Sequence, residues 1–85
     1  ESRQQTRPLR QKLEKLEASM EKLQGKLGDI ESQLADPAIY EESAKTKLSE
    51  LLKSQGPLKE QLEEVELEWM SLSEELETME QAFFA

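Results

Sequence analysis

An 85-residue chain with 35% hydrophobic and 35% charged residues is too short and too charged to fill a wide core, although it can fill a narrow seam between two helices. It has no cysteine and no histidine, which excludes disulfides, thiolate zinc sites and histidine acid–base chemistry. The net charge of −8 is unevenly divided, because residues 1–34 carry seven basic and six acidic side chains and residues 35–85 carry four basic and thirteen acidic.

The sequence contains no pattern typical of a membrane span, and it does not open on a charged-then-apolar secretory signal. No apolar run of about 18 residues occurs, so no membrane span is expected. The chain begins at Glu1 without a methionine, and we therefore expect a fragment of a longer protein.

The first periodic stretch follows Pro8, a residue that is tolerated in the first turn of a helix. Its apolar residues recur at alternate spacings of four and three, which is the heptad pattern of a coiled-coil seam. They are Leu9, Leu13, Leu16, Met20, Leu23, Leu27, Ile30 and Leu34. The pattern predicts a first helix over about residues 8–35.

A turn is predicted over residues 36–42, because Pro37 disfavours helix at the residue before it. From Leu48 to Phe83 a second heptad pattern predicts a second helix over about residues 43–83. Gly56 and Pro57 interrupt it, but the heptad phase survives, which favours one helix with a kink over a true break. The expected fold is all-α: a single antiparallel two-helix coiled-coil hairpin over residues 1–85.

Opposite charges beside the seam select one register for the hairpin. The expected levels are Leu9 with Trp69, Leu16 with Leu62 and Met20 with Leu58, flanked by the pairs Arg10–Glu66, Glu17–Lys59 and Lys12–Glu68. A shift by one heptad would place Glu17 against Glu66, which disfavours that alternative. In the selected register Gly56 and Pro57 lie opposite residues 23–25. Residues that weaken a helix therefore occur at one level in both helices, which suggests a flexible joint there.

This register leaves an apolar overhang at the end of the second helix. Its residues are expected to contact a partner or a neighbouring domain; they are Leu72, Leu76, Met79, Phe83 and Phe84. Tyr40, in the turn, is expected to cap the seam by packing on Leu34 or Lys47, and it is a further candidate for partner contact.

No catalytic residue, metal site or cofactor is predicted for this chain. The acidic residues of 60–68 spread around a helix without histidine, which is typical of a solvated face and not of a metal site. Candidate nucleic-acid contacts are Arg3, Arg7, Arg10, Lys12 and Lys15. At a net charge of −8, neutralisation of the acidic second helix is the favoured role of these basic residues, and DNA binding is disfavoured.

Two heptad helices, a tryptophan late in the second helix and the turn Leu34-Ala35-Asp36-Pro37-Ala38-Ile39-Tyr40 together resemble the C-terminal coiled-coil domain of bacterial ABC-F proteins of the Uup and YheS type. Residues 6–10 and 66–69 look closest to the YheS branch. A similar Ala-Asp-Pro turn occurs in the N-terminal domain of peptide-chain release factors, which stays an alternative.

The resemblance implies a cytoplasmic parent protein that binds ATP and Mg²⁺ in cassettes absent from this chain. It implies a non-catalytic interaction domain whose partner is the ribosome, through RNA or protein, or the parent's own cassettes. A DNA-binding arm, as in Uup-like members, and a structural coiled coil for self-association through residues 72–84 are the alternatives. We expect the isolated chain to be a monomer.

Overall fold

The chain folds into two long helices joined by a short loop. The structure, a computed structural model, describes the backbone of residues 2–84 and the side chains of residues 4–83. Helix α1 covers Ser2–Ala35 and helix α2 covers Lys45–Phe84. The molecule measures 63 × 16 × 14 Å, which is the length of one 40-residue helix at about 1.5 Å per residue and the width of two helices. The predicted all-α antiparallel hairpin is confirmed.

The loop consists of two 3-10 turns, Pro37–Tyr40 and Glu42–Ala44. Asp36 begins the first turn, because its carboxylate accepts a hydrogen bond from the Ala38 N–H at 3.0 Å. Because the second 3-10 turn follows the first, the connection ends at Ala44, two residues later than the predicted 36–42.

Helix α1 begins at Ser2, well before the predicted residue 8, so Pro8 lies inside it. Thr6, with 1% of its surface exposed, and Leu9 are buried at this end of the hairpin. Packing of this face against α2 extends the helix past the proline, as tertiary contacts commonly outweigh local propensity.

Helix α2 is continuous from Lys45 through Gly56 and Pro57 to Phe84, so the favoured single helix is correct and the true break is not present. Pro57 has no backbone N–H, and the carbonyl of Lys53 consequently lacks its usual helical partner.

The best-buried seam lies next to the loop. Ile30, Ile39 and Leu51 form a buried cluster there. Partly buried residues pack against it, namely Leu34, Ala44, Leu48 and Leu58. This tip cluster joins both helices to the first 3-10 turn, so it fixes the loop as well as the seam.

The register of the two helices differs by about one heptad from the predicted one, which is therefore wrong. Leu16 shares a groove with Leu72 and does not face Leu62. Leu23 shares the next groove with Val65. The same shift moves Leu9 away from its predicted partner Trp69, and Met20 away from Leu58.

Burial explains why the charge-based register is not adopted. Exposed ion pairs contribute only about 0–1 kcal/mol each, whereas burial of one Leu-sized side chain contributes about 1.5–3 kcal/mol. The observed register brings Leu72 beside Leu16, and Leu76 and Met79 are half-buried. The same register brings Glu17 and Glu66 to one level beside the seam. The repulsion between the two carboxylates costs less free energy than the burial of seam residues contributes.

Candidate nucleic-acid interface

Four lysines lie along one flank of α1, and we call them the lysine stripe: Lys12, Lys15, Lys22 and Lys26. All four side chains are exposed. Their spacing follows the heptad, so they stay on one side of the seam over about 21 Å of helix at 1.5 Å per residue. The result is a continuous basic edge on the hairpin.

Two shallow grooves bring the lysine stripe next to the acidic helix. Lys12 and Lys15 line one groove together with Glu68. Lys22 and Lys26 line the other together with Glu64. Ser19 lies in both grooves, so the two form one open channel along the seam.

Among the side chains of residues 4–83, no ion pair within 4.0 Å includes a lysine of the stripe. Elsewhere in the hairpin, Lys45 pairs with Glu42 at 3.9 Å. The expected neutralisation of α2 by these lysines is thus a matter of proximity and not of direct pairing. Such exposed lysines keep their donors available for an external anion.

The predicted arginines are less uniform than the lysines. Arg7 is exposed, whereas Arg10 is half-buried and already engaged by a neighbouring group. The side chain of Arg3 lies outside the described residues. Of the five predicted contacts, the structure places Lys12 and Lys15 in one groove. Lys22 and Lys26 belong to the same basic helix in the sequence, but the five predicted contacts do not include them.

The predicted apolar overhang of α2 is partly covered within the hairpin. Leu72 shares a groove with Leu16, and Leu76 and Met79 are half-buried in the seam. Leu72, Leu76 and Met79 are thus not left fully exposed, because the register differs from the predicted one, and the contact of this segment with a partner stays a prediction. Phe83 remains 42% exposed, and the side chain of Phe84 lies outside the described residues.

Tyr40 helps to close the end of α1. Its hydroxyl donates a hydrogen bond to the carbonyl oxygen of Leu34 at 2.6 Å, which satisfies an acceptor of the last helical turn. Tyr40 was expected to pack on Leu34 or Lys47, and the contact that the structure shows is this hydrogen bond to the backbone of Leu34. With 63% of its surface exposed, the ring remains a candidate for partner contact.

Trp69 lies in the seam and carries an indole N–H that is buried without an acceptor in the described part of the structure. An unsatisfied buried donor costs about 1–3 kcal/mol. The apolar ring surface offsets that cost, because a tryptophan buries a large area.

No group of three or more acidic side chains among the described residues is arranged to hold a metal ion. None of the helices, over the residues described, contains a stretch apolar enough to cross a membrane.

Comparison with known proteins identifies a family for this chain. The family model described as ABC transporter C-terminal domain matches residues 4–74, which is most of the chain. The match includes the lysine stripe, the loop and Trp69. No curated protein and no solved structure matches.

Proposed function

Since this chain belongs to the family of ABC transporter C-terminal domains, we propose that it is the arm of an ABC-F ATPase that contacts ribosomal RNA through the lysine stripe. The family is a non-catalytic accessory region of ABC proteins. ATP binding and hydrolysis with Mg²⁺ belong, in this proposal, to the cassettes of a cytoplasmic parent protein. The arm adds a contact to the ribosome during translation.

The observation that carries the proposal is the set of four exposed lysines without ion pairs on one edge of the hairpin. Phosphate contacts need such available cations. No aromatic side chain interrupts the lysine stripe, which favours contact with a duplex backbone over stacking on single-stranded bases.

The net charge of −8 is unevenly divided, and the carboxylates that line the grooves beside the lysine stripe are those of Glu64 and Glu68. Carboxylates on the outer face of α2 lie across a rod that is 16 × 14 Å in section. Screening at physiological ionic strength acts over about 8 Å. A phosphate backbone at the lysine stripe is therefore shielded from most of the distant acidic residues.

Replacing all four residues of the lysine stripe by glutamine is expected to weaken binding to a labelled RNA duplex at least tenfold at low salt. It should also lower the dependence of log affinity on log salt by about 3.6, since four contacts are lost and each duplex phosphate contact contributes about 0.9. Fluorescence anisotropy between 50 and 200 mM salt measures both quantities. Co-sedimentation of ribosomes with the same variant tests the biological target.

The matched control replaces the four lysines of the second half, which are Lys45, Lys47, Lys53 and Lys59, by glutamine. It has the same net charge as the first variant but leaves the lysine stripe intact, so RNA binding should be nearly unchanged. Equal losses in both variants would show a non-specific charge effect and contradict the proposal. Equal or tighter binding to duplex DNA would instead support the DNA-binding arm.

A further inference from the structure

One level of the hairpin, nearer to the loop than to the open end, concentrates residues that weaken helices. All three glycines of the chain lie there, together with Pro57. We call this set the glycine–proline joint: Gly25 and Gly28 in α1, Gly56 and Pro57 in α2. Lys26 shares a groove with Gln61, and the observed register thus brings the two halves of the joint to one level, closer to Gly28 than predicted.

The observed conformation does not need glycine at these positions. No residue among those described has a positive φ. A Cβ atom built on any of the three glycines would meet nothing within 4 Å. Alanine would fit and would form a stronger helix. What glycine adds here is backbone freedom, and not a turn or a close approach.

Helix α2 is weakest at the same level. Pro57 removes one backbone hydrogen bond and crowds the preceding turn, which is a common cause of bends. One turn earlier, the Ser54 hydroxyl donates to the carbonyl oxygen of Glu50 at 2.9 Å, a local bond that also tends to bend helices.

Well-buried side chains lie on both sides of the joint and at it. The tip cluster of Ile30, Ile39 and Leu51 lies on one side, and Leu9 and Leu13 are buried towards the open end. Leu27, at the joint, is buried as well, so the two helices stay together where their backbones are weakest. Bending there moves both helices as a pair.

We propose that the glycine–proline joint is a hinge about which the tip of the hairpin, residues 29–55, swings relative to the open end. The swing keeps Ile30, Ile39 and Leu51 together, and Leu58, which follows Pro57 and packs against that cluster, lies at the border of the moving part. It lets the tip change its direction while the rest of α1 and α2 stays fixed, and it does not depend on the RNA contact proposed above.

The test measures distance distributions across the joint in the whole chain, which has no cysteine of its own. Spin labels at Thr46→Cys and Ser71→Cys, both exposed positions of α2, span the joint at about 38 Å for a straight helix. Labels at Glu63→Cys and Gln81→Cys lie on one side of it. The stiffened variant replaces all four residues of the joint by alanine.

Double electron–electron resonance measures the width of the distance distribution for each pair of labels. For the pair at residues 46 and 71, this width should fall at least twofold in the stiffened variant, and for the pair at residues 63 and 81 it should not change. Amide exchange around residues 53–57 should slow at least tenfold in the same variant. An unchanged width across the joint would overturn the hinge. Equal narrowing of both pairs would overturn it too, because that result means general stiffening of the hairpin.

Discussion

Replacing Leu51 by alanine is expected to lower the free energy of unfolding by about 2–4 kcal/mol, because truncation of a buried leucine loses its transfer free energy and leaves a cavity. Leu51 is 5% exposed and lies in the tip cluster with Ile30 and Ile39. A chain of 85 residues has a total stability of about 4–13 kcal/mol, so the loss is a large part of it. Urea unfolding followed by helical circular dichroism measures the change.

The adjacent residue supplies a matched control. Leu52 is 54% exposed, and its replacement by alanine changes helix propensity as much as the first substitution does. It should alter the free energy of unfolding by less than about 0.5 kcal/mol. Equal effects of the two substitutions would show that the tip cluster is not the core of the hairpin.

Replacing Pro57 by alanine is expected to stabilise the hairpin by about 2 kcal/mol. The proline costs about 3 kcal/mol inside a helix, and this is partly offset by the restriction of about 0.4–1 kcal/mol that it places on the unfolded chain. Alanine restores the N–H that the carbonyl of Lys53 lacks. The melting temperature should rise by roughly 10 °C for a domain of this size.

The same substitution at Pro37 should have the opposite sign. Pro37 occupies the first position of a 3-10 turn, where a fixed φ is favourable and an N–H is not needed. Alanine there should destabilise the hairpin by about 0.4–1 kcal/mol. A neutral or destabilising effect at Pro57 would mean that other interactions, and not its missing hydrogen bond, govern this part of α2.

The two helices and their antiparallel packing could be predicted from the sequence because one periodicity holds over each of them. Apolar residues from Leu9 to Leu34 and from Leu48 to Phe83 keep their heptad phase. The phase survives Gly56 and Pro57, and it correctly indicated a single continuous helix there.

The register could not be obtained from charges. Exposed charge pairs change the free energy of one register relative to another by less than the burial of seam residues does. The pair Glu17 and Glu66 seemed to exclude the observed register. A deciding feature lay at the open end, where Thr6 is buried although it does not belong to the apolar pattern. Because residues 1–7 are polar, the first helix was predicted to begin only at about residue 8, which is too late.

Local hydrogen bonds of the loop were only partly predictable. Pro37 indicated a turn, but the length of the loop depends on the Asp36 carboxylate and on the second 3-10 turn. Tyr40 was expected near Leu34 on grounds of packing, whereas the contact is a hydrogen bond to a helical carbonyl. Such bonds depend on backbone geometry that composition does not specify.

The basic edge was recognised as a set of residues but not as a geometric feature. Local charge density drew attention to Arg3, Arg7 and Arg10, whereas the helical spacing joins Lys12 and Lys15 to Lys22 and Lys26. The grooves beside these lysines depend on the observed register. The predicted register could therefore not indicate them.

The most direct test of the observed hairpin register is an intramolecular disulfide between cysteines at Met20 and Val65. Ser19 and Leu23, which bracket Met20, share a groove with Val65. A disulfide requires Cα atoms within about 7 Å. Oxidation of the dilute double variant should therefore give a cross-linked monomer, while the pair Met20→Cys and Leu58→Cys should not close. Closure of the second pair without the first would contradict the observed register and restore the one based on charge.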